Sequence, residues 1–523
     1  MRVTFKVLKL RERPSGNHYN VVLLTPGDWD DYSFKTSFDA FFYDTEGQRV
    51  DLGTLKIGYF DQEKGSSTLD KLPNSFESLP DGWFSLGQDV EYYESLFKRL
   101  KPEDRLSILK SLRDIVADEN LHKITEDQTV FRDSLMRGVS QSVIQGQFKR
   151  VLAGEVVLTD FHFSYRDPGD KRHAAINLDF EVKTASKPST NVHVLIGRNG
   201  VGKTTLLNNM VGAILDLDSP ARSTGNFFEA SPWFESPKLP SNYFSSVVSV
   251  SFSAFDPFIP PVDQPDRTKG VAYFYVGMKN TRGAKNNLIG LPPKTEVDLI
   301  NDFLTSFESC ISQPAKRNRW ETAIKRLESD LNFADMDLCQ LLSMDKESAI
   351  IKARSLAERM SSGHSIVLLT ITKLVDSVEE KTLVLLDEPE SHLHPPLLSA
   401  FTRALADLLS NRNGVAIIAT HSPVVVQEVP RSCVWKLTRL RTQGRSDRPE
   451  RETFGENVGV LTREIFGLEV TKSGFHEMLQ KSVESGKSFE EILEDYKGQL
   501  GAEAKAILMA LISSRSANES NEQ

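Results

Sequence analysis

Apolar residues in the first 60 positions fall into short runs that alternate with polar residues and are separated by Pro, Gly and Asp turns. This pattern predicts β-strands at Val3–Leu10, Tyr19–Thr25, Phe38–Tyr43 and Val50–Tyr59. Helical spacing follows in two stripes, formed by Tyr92, Leu96 and Leu100 and then by Leu106, Leu109, Leu112 and Val116. Residues 1–150 carry no catalytic motif. We interpret them as an α+β accessory domain, β-rich and then helical.

From Glu155 onward, apolar strands alternate with helices, which is typical of an α/β domain. The continuous apolar runs at 382–388 and 415–420 are typical of strands inside a parallel sheet, and we place this domain at 151–430. A helical lobe is predicted at about 292–360. Its core-facing residues are predicted to be Ile300, Phe303, Phe307, Ile311, Ile324, Leu327 and Leu331. Residues 431–523 form a C-terminal region that ends in helices, with a disordered tail at about 513–523.

Composition and charge exclude several classes of protein. The 523 residues carry a net charge of −9, so the chain is not a general polycation that coats nucleic acid. Its three cysteines, Cys310, Cys339 and Cys433, are far apart, which excludes a disulfide scaffold and a Cys-rich zinc module. No apolar leader and no run of about 18 apolar residues is visible. We therefore expect a cytoplasmic protein without a membrane contact.

A glycine-rich segment between a predicted strand and a predicted helix fits the pattern G-x-x-x-x-G-K-[ST]. Its backbone N–H groups would surround phosphates, with Lys203 at the β- and γ-phosphates and the Thr204 hydroxyl on Mg²⁺. The cofactors predicted are therefore ATP and Mg²⁺. The nucleotide-binding residues are predicted to be Gly197, Arg198, Asn199, Gly200, Val201, Gly202, Lys203, Thr204 and Thr205.

Two later strands end in residues that fit the same chemistry. The run LVLLDEPE places Asp387 at the carboxyl edge of the sheet, where it would hold the metal, and Glu388 beside it, where it would polarise the attacking water. ATHSP ends the next strand and places His421 near the γ-phosphate. We predict Lys203, Glu388 and His421 as the catalytic residues.

Five further residues have two readings each. Ser361 and Gly363 in ERMSSGHS, the signature segment (residues 358–365), could donate hydrogen bonds to a γ-phosphate or form an ordinary loop and N-cap. Tyr165 could stack on adenine or be a core aromatic residue. His392 and His394 could hold a metal, but no third ligand is apparent.

The order GRNGVGKTT, MSSGH, LLDEPESHLHPP and ATHSP resembles the ABC-type ATPase superfamily, and the DEPESHLHP form resembles its soluble branch, with OLD-family and RecF/SMC-like ATPases. The resemblance implies an ABC-type ATPase head with a helical lobe and a homodimer or higher even oligomer that holds ATP between two heads. Ser361 and Gly363 would then act in trans on the partner's ATP. The segment SHLHPP, here the His-Pro segment (residues 391–396), would lie near the dimer seam.

The sequence departs from that family at two points. The loop within 247–258 that should carry a glutamine has none, so Ser253 or Asp256 would substitute, and the signature segment has His364 where the family has glutamine. Both departures predict slow hydrolysis more than a loss of ATP binding. A head that uses ATP as a structural clamp is the alternative.

Four biological roles compete as explanations of such an ATPase. A transport ATPase would be shorter, and an SMC-type head needs a long coiled coil whose heptads are absent. A RecF-like DNA-binding repair ATPase remains the alternative. FSAFDPF and the segment at 454–469 resemble phage-defence ATPases of the OLD, Septu (PtuA-like) and retron-associated systems. Because no nuclease motif follows the ATPase, we expect a sensor or regulatory subunit that controls a separate effector, a nuclease or a toxin.

Basic residues cluster between Arg431 and Arg451, here the basic segment. It contains Arg431, Lys436, Arg439, Arg441, Arg445, Arg448 and Arg451 against two acids, Asp447 and Glu450. On an acidic chain, such a cluster could meet nucleic acid or an acidic effector. The alternative is a solvated connection between strands.

Overall fold

The computed structural model describes residues 3–10, 12, 15–155, 157–169, 174–216, 224–230, 236–253, 258–266, 270–281, 292–440, 443–467 and 474–521.

The N-terminal domain contains a six-stranded mixed sheet. Its strands are β1 Thr4–Val7, β2 Val21–Pro26, β3 Ser37–Tyr43, β4 Arg49–Tyr59, β5 Ser75–Phe76 and β6 Trp83–Gly87. They are ordered β5-β1-β2-β3-β4-β6, with β1 and β2 parallel and the other pairs antiparallel. The four strands expected from alternation are confirmed with shifted ends. The short β5 and β6 were not predicted.

Short helices complete this domain. They are Thr68–Lys71, Val90–Arg99, Pro102–Ser111, Glu119–Thr125, Thr129–Asp133, Gln141–Val143 and Lys149–Leu152, with a 3-10 turn at Leu135–Gly138 and a π turn at Ile144–Phe148. One hydrophobic core runs from Val3 to Val151 and includes the predicted stripe of Tyr92, Leu96 and Leu100. Leu106 of the second stripe is instead 64% exposed.

The central domain contains two sheets. Its strands are β7 Phe161–Asp167, β8 Ile176–Val182, β9 Val192–Gly197, β10 Asn226–Glu229, β11 Ser246–Ser251, β12 Ala272–Gly277, β13 Thr382–Asp387, β14 Val415–Thr420, β15 Val434–Leu440 and β16 Gln443–Asp447. Strands β10-β7-β8 form an antiparallel sheet. The seven-stranded sheet is ordered β12-β11-β13-β14-β9-β15-β16, parallel except for β16.

Hydrophobic cores cover both faces of the seven-stranded sheet. Val194 and Ile196 of β9 face the core that contains the helical lobe, whereas Leu195 faces the core that contains the three-stranded sheet. Strand residues point alternately to opposite faces, so a strand that is apolar at every position is buried on both. The apolar residues of the runs at 382–388 and 415–420 alternate between the same two cores, which confirms the prediction for these runs.

The remaining helices lie in the central and C-terminal regions. They are Lys203–Ile214, Glu296–Ser312, Pro314–Leu327, Leu331–Asp335, Lys346–Ala357, Ser362–Ser377, Pro395–Arg412, Pro423–Gln427, Val458–Phe466, Phe475–Glu484, Phe489–Asp495 and Ala502–Asn521, with 3-10 turns at Leu338–Ser343, Pro389–His392 and Arg431–Cys433. None of the helices among these described residues, or among those of the N-terminal domain, is long and apolar enough to span a membrane.

Two expectations about these helices change. Leu331, predicted to face the core, is 79% exposed. Asp330 caps a new helix at this point by accepting hydrogen bonds from the backbone of Asn332 and Phe333, so the periodicity of the preceding helix does not continue. The last helix continues to Asn521, through most of the predicted disordered tail.

Buried ion pairs join the N-terminal and central domains. Asp89, just before the helix Val90–Arg99, accepts hydrogen bonds from Arg319 at 2.7 Å and from Arg412 at 2.9 Å. Arg150 pairs with Glu380 at 2.6 Å. The domains therefore share a polar, desolvated interface between their hydrophobic cores.

Candidate nucleotide-binding site

The glycine-rich loop connects the buried strand β9 to the helix Lys203–Ile214, as the motif predicts. Gly200 and Gly202 have φ values of 82° and 100°, a left-handed conformation that glycine adopts without strain. Gly197 is required for another reason: a Cβ there would lie 2.4 Å from the carbonyl oxygen of Leu437 in β15. The neighbouring strand therefore constrains the loop as much as the turn does.

Lys203 is buried at the start of this helix, with 4% of its surface exposed. Its Nζ donates hydrogen bonds to the carbonyl oxygens of Gly197 and Arg198, at 2.9 and 3.2 Å. Burial lowers the pKa of Lys203, and the nearby carboxylates, Glu388 first, oppose that shift. The ammonium is thus held over the loop by weak carbonyl acceptors, which the oxygens of a phosphate can replace.

The carboxyl ends of β13 and β14 bring three predicted residues together. Asp387 ends β13 and is in register with Ser251 of β11 and Ala419 of β14. Glu388 follows in a left-handed conformation (φ 46°), and its backbone N–H donates to the carbonyl of Ala419 at 2.9 Å. Strain of this kind at a non-glycine residue is often found where a side chain must be aimed.

A second glutamate, Glu390, was missed by the sequence analysis. Its Oε1 accepts hydrogen bonds from the Thr420 hydroxyl at 2.6 Å and from the His421 backbone at 2.7 Å. Its side chain is only 8% exposed, and Nδ1 of His421 lies 3.0 Å from Glu390 and 3.8 Å from Glu388. Glu390 therefore fixes the loop after β14 and places the His421 ring beside Glu388. The signal available was the third acid of DEPE, the last residue of that motif.

The predicted phosphate donors of the signature segment have different environments. Ser361 is exposed at the start of the helix Ser362–Ser377, and its Oγ lies 2.6 Å from Nδ1 of His364. Gly363 is buried, and a Cβ there would lie 2.5 Å from the carbonyl oxygen of His392. Gly363 thus permits close contact between the signature segment and the His-Pro segment of the same chain. Its expected contact with a partner's phosphate remains a prediction.

Tyr165 does not offer a ring face for adenine. It is fully buried, its hydroxyl donates to the carbonyl of Thr224 at 2.6 Å, and its ring packs edge-on against Phe227 at 5.1 Å. Burial raises the pKa of Tyr165. The structure corrects the adenine prediction in favour of the core aromatic reading, because β7 pairs with β10 and encloses the side chain.

The expected replacements for the family's glutamine are only partly visible. Ser253 is half-buried two residues after β11, whereas Asp256 lies outside the described residues. Among the described residues, no group of three or more His, Cys, Asp or Glu side chains is arranged to hold a metal ion. This includes the surroundings of His392 and His394.

Arg448 and Arg431 of the basic segment donate hydrogen bonds to carbonyl oxygens within the fold. Arg448 stacks on Trp435 at 3.7 Å and donates to two carbonyl oxygens, and burial lowers its pKa to about 10. Arg431 donates to the carbonyl of Glu450. Arg439 and Arg445 are exposed, and Arg441 lies outside the described residues. Arg439 also lies near the glycine-rich loop, since a Cβ on Gly202 would be 3.8 Å from its Nη1.

Comparison of the sequence with protein families and known proteins gives two matches. The family model described as "AAA domain, putative AbiEii toxin, Type IV TA system" matches residues 332–427, a range that includes the signature segment, Asp387, Glu388 and His421. Protein ea59 of Escherichia phage lambda is 48% identical over 513 residues, which cover 95% of this chain and 95% of that protein.

Solved structures of ABC transporter ATPases overlap with the chain at low identity. A nucleotide-free ATP-binding cassette has 12% identity and a TM-score of 0.29, covering 55% of this chain and 92% of its own. A cassette in its ADP conformation has 12% identity and a TM-score of 0.31, covering 60% and 100%. CbiO1 of Clostridium perfringens has 17% identity and a TM-score of 0.26, covering 53% and 84%. At these scores the overlap carries no argument, so the fold assignment depends on the sheet order and the phosphate loop.

Proposed function

Because the chain belongs to the family of phage lambda protein ea59 and its central domain is a P-loop ATPase of the ABC/AAA type, we propose that it binds and hydrolyses Mg-ATP between two copies of itself. We propose further that this cycle makes it the sensor or regulatory subunit of an antiviral defence system with a separate effector, a nuclease or a toxin. One observation carries the catalytic part: Lys203, Asp387, Glu388 and His421 meet at the carboxyl edge of one parallel sheet.

The residues present fit the expected cofactors. The Thr204 hydroxyl and the Asp387 carboxylate are oxygen donors, which Mg²⁺ prefers. When bound, the ion neutralises charge on the phosphates. Lys203 leaves its carbonyl acceptors to bind the β- and γ-phosphates. Glu388 polarises the attacking water, and His421, oriented by Glu390, contacts the γ-phosphate.

The effector part has a different basis. The matching family model carries a toxin–antitoxin description, and no catalytic motif other than the ATPase is recognisable in this chain. A phage-encoded relative suits a system that acts against competing phages. The exposed Arg439 and Arg445 favour an acidic partner surface or nucleic acid. Nucleic acid would support the alternative, a RecF/SMC-like DNA-binding repair ATPase.

The test is a pull-down of the Glu388→Gln protein in ATP from cells that express it at its native locus. This substitution removes the carboxylate that polarises water but keeps Asp387 on the metal, so ATP should stay bound. We expect a nuclease, toxin or reverse transcriptase in stoichiometric amount. DNA alone would favour the repair alternative, and the absence of any partner would refute the regulatory role.

Lys203→Ala is the matched control. Hydrogen bonds to charged groups contribute about 1.5–3 kcal/mol each, so ATP binding should weaken by roughly 10- to 100-fold or more. A partner that co-purifies equally with both variants is bound independently of ATP. That result would contradict a regulatory role for the nucleotide.

A further inference from the structure

A continuous hydrogen-bonded chain links the signature segment to the His-Pro segment. Ser361 Oγ lies 2.6 Å from Nδ1 of His364, and Nε2 of His364 lies 3.2 Å from Oδ1 of Asp330. The other oxygen of Asp330 lies 3.1 Å from Nε2 of His394. Three separate elements of the fold therefore meet at one carboxylate, and His364 occupies the position where related ATPases have glutamine.

Asp330 is well placed to anchor this chain. It is 7% exposed, and its Oδ1 also accepts hydrogen bonds from the backbone of Asn332 and Phe333 at 3.0 and 3.2 Å. Burial alone would raise the pKa of Asp330, but the hydrogen bonds from His364 and from the backbone of Phe333 lower it below its usual range. The carboxylate is thus ionised at neutral pH and can only accept hydrogen bonds. Both histidines must donate to it from Nε2.

This requirement decides the direction of the hydrogen bond at Ser361. A neutral histidine that carries its proton on Nε2 has only a lone pair on Nδ1. The Ser361 hydroxyl must therefore donate its single hydrogen to His364, and it has none left for a phosphate oxygen. If His364 takes a second proton from solvent, its Nδ1–H donates to Ser361 instead. The hydroxyl hydrogen of Ser361 is then free to donate elsewhere.

We propose that His364, held by Asp330, is a positioning residue that controls whether Ser361 can donate a hydrogen bond to the terminal phosphate of a partner's ATP. Closure of the ATP-bound dimer is therefore coupled to uptake of one proton by His364. Through Asp330, His394 ties the His-Pro segment to the same switch. This inference depends on the proposed ATP-dependent dimer.

Other charged groups near His364 do not remove the need for that proton. Asp330 faces it from the turn before the helix Leu331–Asp335, with its Oδ1 3.2 Å from Nε2 of His364. His394 faces the same carboxylate from the start of the helix Pro395–Arg412, with its ring centre 6.5 Å from that of His364. The ring of Phe333, 5.2 Å away, is uncharged.

The experiment measures ATP-driven dimerisation of the Glu388→Gln protein by analytical ultracentrifugation between pH 6 and 8.5. Coupling to one proton per protomer, and so to two per dimer, predicts that the dimer weakens as pH rises, approaching about a hundredfold per unit where both His364 rings are neutral. In the same background, His364→Gln has an amide that donates to Ser361 at every pH, so its dimer should be tight and lack this dependence. His394→Gln, which retains His364, should keep the dependence.

Two further variants make the outcome decisive. Ser361→Ala should dimerise weakly at every pH. His364→Ala removes the acceptor that holds the Ser361 hydrogen, so its dimer should lose the pH dependence of the parent. Thermal unfolding is measured to confirm that each variant is folded. If His364→Gln keeps the full pH dependence of its parent, or if Ser361→Ala dimerises as well as the parent, the proposal is wrong. Binding of a fluorescent ATP analogue is measured in parallel. If the parent itself does not bind the analogue, the proposed ATPase function fails, whereas binding with unaltered dimerisation in every variant refutes only the role of His364.

Discussion

Asp89 offers a quantitative test of how the two large domains are held together. Its carboxylate lies between the guanidinium groups of Arg319 and Arg412, and all three side chains are less than 10% exposed. Burial alone would raise the pKa of Asp89, but the two arginines overcome this effect and hold its pKa well below the usual range. We choose Asp89→Asn because the amide oxygen can still cap the helix Val90–Arg99, so the substitution mainly removes the charge.

The expected loss follows from the burial of the arginines. Removing one partner of a buried ion pair costs about 3–5 kcal/mol, since a charge is left without compensation in a desolvated site. Here two guanidinium groups lose their shared partner, so the upper part of that range is expected. Glu91 provides the matched control: it pairs with the same Arg319 at 3.2 Å, but its side chain is 45% exposed. Exposed pairs contribute about 0–1 kcal/mol, and Glu91→Gln should cost no more.

Urea unfolding at pH 7, followed by tryptophan fluorescence, measures both variants. The buried Trp320 is adjacent to Arg319 and reports on this region. Because the pKa of Asp89 is lower in the folded chain than in the unfolded chain, its contribution is complete above pH of about 4 and is lost as the pH falls further. The difference between the parent and Asp89→Asn should therefore shrink in acid. A cost below about 1 kcal/mol, or equal to that of Glu91→Gln, would refute the reasoning.

Three other substitutions test separate features. Burial raises the pKa of Asp114 to about 7, so the free energy of unfolding should fall as pH rises from about 4 to 7. Asp114→Asn mimics the protonated acid and should abolish this pH dependence in urea titrations. If the free energy of unfolding of the variant keeps the same dependence on pH, the reasoning is contradicted. Gly363→Ala forces a Cβ to within 2.5 Å of the His392 carbonyl oxygen, so it should lower stability by about 1–3 kcal/mol in thermal unfolding and should lower ATP turnover. An unaltered melting temperature would show that the signature segment and the His-Pro segment can separate freely. Arg439→Glu places a negative charge near the glycine-rich loop and should weaken ATP binding in a nucleotide titration. Arg445 pairs instead with Asp447, so Arg445→Glu should leave ATP binding unchanged. Equal effects of the two substitutions would contradict the assigned position of Arg439.

Features that depend on neighbours in the chain were accessible from the sequence. The glycine-rich loop is one, because its glycines and Lys203 are grouped by a turn of only five residues between β9 and its helix. The apolar strands that end in Asp387 and at His421 are others, since burial on both faces leaves a continuous apolar run. The α/β class and the strand-end carboxylates follow from these local patterns.

Contacts between distant parts of the chain were decided only by the tertiary structure. Tyr165 is a core residue because β10, about 60 positions later, covers it, and Glu390 is part of the site because it accepts hydrogen bonds from the loop after β14. The link from Ser361 to His394 requires Asp330, a helix cap whose second role no local spacing reveals. The sequence by itself determined which residues are candidates for the proposed phosphate chemistry, because that chemistry depends on short motifs. The tertiary structure decided which partners orient them, because an orienting hydrogen bond needs only proximity in space.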